Sequence, residues 1–181
     1  NFRTSCVKTP SMDKKFHGKE DVICVSTDSG SAKSTIYFAN ALDVEYAIAS
    51  KFRPKQEKTD LIGIIGNLKD KRIAIIGDDE SVTVSSLSNV VKNLFQKYGI
   101  KETYILISHN KIRPKYLPKL IEAHKEYGLR EIHVTDTIPQ TMEVLGLPFV
   151  NMHSLAESFA HTINRLHYNQ SVSELFYQPK E

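Results

Sequence analysis

Short runs of β-branched residues alternate with stretches of helical period along almost the whole chain, and this alternation decides the fold class. Asp21–Ser26 is an apolar run, with Ala32, Ile36 and Ala39 opening a helix to about Leu42. Val44–Ala49, Leu61–Gly66 and Arg72–Ile76 are further runs of strand type. Apolar residues then recur at Leu87, Val90, Val91, Leu94, Phe95 and Tyr98, one face of a helix. Glu102–Ser108 and Glu131–Thr135 read as strands, with a helix from about Pro114 to Tyr127 between them. Phe149–Met152 reads as a short last strand. Ser154-Leu155-Ala156-Glu157 has the capping-box pattern. Ala156, Phe159, Ala160, Ile163 and Leu166 follow it on one helical face, and Ser171–Phe176 is expected to pack on the domain. Strands that alternate with helices predict an α/β fold, a mostly parallel sheet with helices on both faces.

One junction carries chemistry. The run Arg72–Ile76 ends in Gly77-Asp78-Asp79-Glu80, then the hydroxyl-rich Ser81-Val82-Thr83-Val84-Ser85-Ser86, then the helix. The spacing predicts buried strand, acidic turn, helix. Ligands of open α/β sheets bind beyond the carboxyl ends of the strands. A helix start there offers unpaired N–H groups and a positive dipole to an anion. Two acids beside it suit a metal–phosphate ligand or a sugar diol, and equally a solvated turn with N-capping acids. The segment Lys51–Asp60 is charged, proline-broken and aperiodic. It is expected to be a mobile loop, either solvated or able to close over a phosphorylated substrate.

Composition excludes several classes. The chain has 181 residues and a formal net charge of +3, with basic residues scattered, which gives no case for nucleic acid. No apolar run approaches the ~20 residues of a membrane span. Of two cysteines, Cys24 lies inside an apolar run, so a buried free thiol in a reducing compartment is expected. The chain begins with Asn1, not Met, so a processed product or a fragment is expected. Residues 1–19 are basic and aperiodic and read as an extended or disordered arm, with a transit-peptide remnant or a partner-wrapping segment as alternatives; residues 20–181 read as one domain.

Four stretches, in order, resemble the C-terminal domain of ribose-phosphate pyrophosphokinase, or PRPP synthetase. Ser26-Thr27-Asp28-Ser29-Gly30-Ser31-Ala32-Lys33 is similar to S-P-D-A-G-G-A-K-R, and Lys51-Phe52-Arg53 to the catalytic K-x-R. Gly66 to Asp79 is similar to G-D-V-x-G/D-R-x-A-I-L-V-D-D. In the tail, Thr135-Asp136-Thr137-Ile138-Pro139-Gln140 is similar to T-N-T-I-P-Q, and Leu155-Ala156-Glu157 with His167 to Phe176 to L-A-E…H-x-G-E-S-V-S-x-L-F. The resemblance implies a type I phosphoribosyltransferase-like fold and transfer of the β,γ-diphosphate of ATP to ribose 5-phosphate with magnesium. It implies that Asp28 faces the metal and diphosphate. Lys51 and Arg53 would stabilise the transferring group, Asp78 and Asp79 bind the ribose hydroxyls, and Thr83, Ser85 and Ser86 cradle the 5-phosphate.

The departures are local. The family loop D-D-x-x-D-T-x-G-T has Val82 at its third Asp and Ser85 at its Gly, and Gly there lets backbone approach phosphate. Ser31 replaces a Gly, Ser34 an Arg, and the family's N-terminal domain has no counterpart in these residues. The leading expectation is therefore a PRPP synthetase-like subunit that has lost catalysis and serves as a structural or regulatory component of a larger assembly; the family includes catalytically silent associated subunits. The alternative is an active ribose-phosphate diphosphokinase subunit completed by another chain, and a ribose-phosphate sensor is a third reading. Other protein subunits are the expected partners, with ribose 5-phosphate or ATP as ligands, in the mitochondrial matrix or the cytoplasm.

Overall fold

The computed structural model describes residues 15–52, 61–81 and 84–175. Its seven strands are β1 (Val22–Ser26), β2 (Glu45–Phe52), β3 (Leu61–Ile65), β4 (Ile73–Ser81), β5 (Glu102–Asn110), β6 (Leu129–Thr135) and β7 (Val150–His153). The helices are α1 (Ala32–Leu42), α2 (Val84–Tyr98), α3 (Leu117–Glu126), α4 (Met142–Leu145) and α5 (Ala156–His167). One sheet holds all seven strands in the order β3-β2-β1-β4-β5-β6-β7. Every neighbouring pair is parallel except β2 with β3, which is antiparallel. The chain leaves β1 toward β2 and β3, crosses back to β4 on the other side of β1, and then continues outward. The α/β class and the mostly parallel sheet are as the alternation predicts.

The pleat sorts the side chains into two layers. Ile23 and Val25 of β1, Ala74 and Ile76 of β4, and Ile105 and Ile107 of β5 belong to one core, with Leu87, Val90, Val91 and Leu94 of α2 and Leu120 of α3. The residues between them (Val22, Cys24, Ile75, Tyr104, Leu106) belong to the other, with Phe38, Ala39 and Leu42 of α1. All five residues of β1 are buried, as a strand covered on both faces requires. Phe16, assigned by the sequence reading to the arm, is fully buried in the second core against the ring of Tyr104. Gly128 makes the turn into β6 at φ 71°, where a Cβ would strike the Lys101 carbonyl oxygen. Cys24 is a buried free thiol, and burial pushes its pKa well above the usual thiol range. Among the described residues no helix is long and apolar enough to cross a membrane.

Four local expectations need correction. β2 runs through Lys51 and Phe52, because backbone pairing with Leu61 and Ile62 of β3 continues the ladder where the sequence suggested a loop. β4 runs to Ser81, so Asp78 and Asp79 belong to a strand and not to a turn; Asp78, Glu80 and Ser81 pair in register with Ile107, His109 and Asn110 of β5. The capping box before α5 does not form: Leu155 is the N-cap, with no side-chain cap bond, and Ser154 Oγ accepts from Ala156 N–H. The apolar stripe of α5 is not buried. Phe159, Ile163 and Leu166 are 56%, 65% and 60% exposed, and Leu175 beyond them is also exposed, so this part of the tail does not pack into the core.

Candidate functional site

The order of the strands places the site. The chain direction switches between β1 and β4, and a crevice opens at the carboxyl ends of strands that lead away in opposite directions. Ser26 of β1 is in register with Gly77 of β4, so Thr27 and Asp28 emerge beside Asp78 and Asp79. Thr27, 4% exposed, donates its hydroxyl to Asp78 Oδ2 at 3.5 Å and lies 3.3 Å from the Ser31 hydroxyl. The loop beyond is tied to itself. Ser31 N–H donates to Asp28 Oδ1 at 3.0 Å, and the Ser31 hydroxyl donates to the Asp28 carbonyl at 3.2 Å. Asp28 is therefore held at the mouth of the crevice, exposed, with one carboxylate oxygen turned into its loop.

The acid pair is split by the pleat. Successive strand residues face opposite ways. Asp78 shares the α2 side with Thr27 and is half-buried, whereas Asp79 lies on the other side, exposed, and its Oδ1 accepts from Glu80 N–H at 3.0 Å. Glu80 pairs with Lys111 at 2.9 Å, both about half exposed. α2 begins at Val84, which is buried and fixes the helix start over the crevice. Ser85 and Ser86 stand in its first turn, and Lys119 of α3 donates to Ser85 Oγ at 3.1 Å. His109 at the end of β5 lies 3.0 Å, Nδ1 to Oγ1, from Thr137 in the loop after β6. Asn110 and Gln140 join the same two elements, Asn110 Nδ2–H donating to Gln140 Oε1 at 2.6 Å.

The structure thus brings Asp28, Asp78, Asp79, Ser85 and Ser86 to one end of the sheet. Lys51 sits in β2 opposite Ile62 of β3. Arg53 and Thr83 lie outside the described residues. Two participants escaped sequence reading. Thr27 was hidden inside a motif whose neighbouring Asp28 drew the attention. Lys119 reaches Ser85 across 34 residues and carries no local signal.

The magnesium that the resemblance implies would bind through one or two carboxylates plus substrate phosphates and water, and would need no all-protein cage. Asp28 supplies a carboxylate at the crevice mouth, and among the described residues no cluster of three His, Cys, Asp or Glu side chains forms a preformed metal site.

Residues 25–177 match the phosphoribosyl synthetase-associated domain, which spans both flanks of this crevice. The chain belongs to that family. It is 35% identical over 170 residues to a ribose-phosphate pyrophosphokinase of Caldanaerobacter subterraneus subsp. tengcongensis, covering 92% of this chain and 52% of that protein. It is 30% identical over 167 residues to ribose-phosphate pyrophosphokinase A of Dictyostelium discoideum, covering 92% and 50%. The crystal structure of a phosphoribosylpyrophosphate synthetase from Mycobacterium smegmatis superposes with a TM-score of 0.72 at 27% identity, over 93% of this chain and 50% of that one. The fold is the type I phosphoribosyltransferase-like one. The chain spans about half the length of these relatives.

Proposed function

We propose that this chain is a PRPP synthetase-like subunit that has lost diphosphoryl transfer, retains a ribose-phosphate crevice, and serves as a structural or regulatory component of a larger assembly. The observation that carries the proposal is the start of α2. Ser85 stands where the family loop has Gly, and its hydroxyl accepts from Lys119, so a phosphate held here would meet side-chain hydroxyls and an ammonium in place of the bare backbone that Gly allows. Val82 removes a further carboxylate from the same loop. In this reading Asp78 and Asp79 contact a ribose, Ser85, Ser86 and Thr83 offer hydroxyls, and Asp28 holds magnesium together with a ligand's phosphates. The metal would supply neutralisation of phosphate charge. Oligomeric partners, homologous or not, would complete the assembly.

The alternative, an active diphosphokinase subunit that needs a further domain, is favoured by one feature. The Thr27–Asp78 contact links the loop after β1 to the acids at the end of β4, two segments that an active subunit would use together. The two readings separate by experiment. Protein isolated with its native partners is assayed for PRPP formation from ATP, magnesium and ribose 5-phosphate, and titrated calorimetrically with ribose 5-phosphate. Binding that Asp79→Asn weakens at least tenfold, with no turnover, supports the proposal. Turnover abolished by Lys51→Ala overturns it in favour of the active subunit. Neither binding nor turnover removes the ribose-phosphate crevice and leaves the structural role alone.

A further inference from the structure

β7 is the last strand of the sheet and has four residues paired to β6 alone, and α5 follows it, its start held separately by Asp136 through Leu155 N–H. An edge strand this short, followed by a helix with no buried residue, is the part of the sheet most easily released. What holds it on one face is a pair of imidazoles. His133 of β6 is in register with Asn151, and Thr135 with His153, so His133 and His153 are diagonal neighbours on the same side of the sheet. Their rings lie 5.1 Å apart at 30°, and His133 Nδ1 is 2.8 Å from His153 Nε2. His133 is 5% exposed.

We propose that His133 and His153 form an acid-operated latch that keeps β7 on the sheet at neutral pH and releases it when both rings are protonated. The number of N–H donors on the two rings decides which state fits. Glu131 Oε2 lies 3.0 Å from His133 Nε2, too poorly directed for a full hydrogen bond but close enough to favour a proton there. His133 Nδ1 is then the acceptor and His153 Nε2–H the donor. One added proton is accommodated, since a singly charged pair still has one N–H facing one lone pair. A second proton is not. It puts N–H against N–H at 2.8 Å, with two like charges, one of them on the buried ring of His133.

The neighbours sharpen this. From the segment before β1, Lys15 reaches within 3.4 Å of Glu131 and sits over the Tyr104 ring. From β5, the Tyr104 hydroxyl donates to Glu102, which also pairs with Arg130 of β6. At the far end of β6, Asp136 accepts from Ser154 and Leu155. Among these contacts Glu131 is the acid beside His133, and Lys15 already shares it. Burial holds both imidazoles below their ordinary pKa; for His133 the second ring and Lys15 add to this and Glu131 opposes. A group whose folded pKa is depressed leaves stability intact above its unfolded value. That stability is lost as pH falls below about 6.5 toward the folded value. The charge appears on the side of the sheet opposite Ile132 and Val134, so the β1–β4 crevice is untouched.

The test is amide hydrogen exchange on the whole chain, corrected for intrinsic rates, between pH 7.5 and 5. The expected result is that β7 amides lose about tenfold protection or more relative to β1 and β4 amides, each pH unit being worth about that factor for one proton. His153→Gln, which keeps a donor and an acceptor but cannot be charged, should hold its β7 protection within about twofold over the same range. Equal losses in the wild type and this variant, or no loss in the wild type, overturn the latch. Should His153→Gln prove unprotected at neutral pH, the wild-type imidazole resonances decide. Two coupled steps, both below the ordinary histidine range, support the proposal, and independent titrations at the free-imidazole value overturn it.

Discussion

The β1–β4 seam and the β7–α5 flank use similar residues to opposite ends. At the seam every residue of β1 and Ala74, Ile75 and Ile76 of β4 are buried between helices on both faces. At the flank, α5 carries Phe159, Ile163 and Leu166 at helical spacing yet buries none of them, and Met152 of β7 is 50% exposed. A helical period is a local property of a sequence; burial is not. An isolated helix of this length is marginal in water, so α5 draws its order from its attachment. Asp136 accepts from Leu155 N–H at 2.9 Å, and Asp136 N–H donates to the His153 carbonyl.

Substitutions can break the comparison or make it sharper. The largest effect is expected at the seam. Ile75→Ala removes a fully buried side chain from the central strand and should cost about 2–5 kcal/mol in chemical denaturation. A loss below 1 kcal/mol would mean that the centre is no better packed than the flank. Thr27→Val leaves the shape but removes the hydroxyl that meets Asp78. About 1 kcal/mol of stability and a weaker calorimetric affinity for ribose 5-phosphate are expected; unchanged affinity would detach Thr27 from the site. Asp136→Ala removes the side-chain anchor of α5. Because the group is exposed, the cost should stay below about 1 kcal/mol, and the signature is reduced helicity near residues 156–167 by NMR secondary shifts. Asp136 is held below the usual carboxylate range by Ser154 and Leu155, so this anchor is present at neutral pH and weakens only as pH falls below the free-carboxylate value. The smallest effect is expected for Ile163→Ser, within about 0.5 kcal/mol for the chain alone. A cost above 1.5 kcal/mol would show the stripe to be covered in solution.

These two regions also mark what could be read from residues alone. β1, β4 and the inner face of α2 were legible because their apolar periods record two-sided and one-sided burial directly. The family pattern placed Asp28, Asp78 and Asp79 together without any geometry. The length of β4 was not legible: Asp78, Asp79 and Glu80 have poor strand propensity, and pairing with Ile107 and His109 of β5 overrides it. The failed capping box has the same cause, since Asp136 at the end of β6 claims Ser154 and Leu155 from 18 and 19 residues away. Lys119 on Ser85 and the His133–His153 contact are likewise products of topology. Single residues of ordinary type met across strands and helices, and no spacing announces them.

The crossing from β3 back to β4 has a consequence in time. Thr27 and Asp78 are 51 residues apart, and the strands that bear them cannot meet until everything between has been made and the chain has doubled back past β1. β1, α1, β2 and β3 can assemble from nearby pieces as they leave the ribosome, whereas pairing of β1 with β4 must wait and carries the larger closure cost. The crevice is thus absent from any partly made chain that has assembled β1 to β3 alone. Its acids come together only when the sheet closes around its first strand, so occupancy of the site by a ligand would report completed folding.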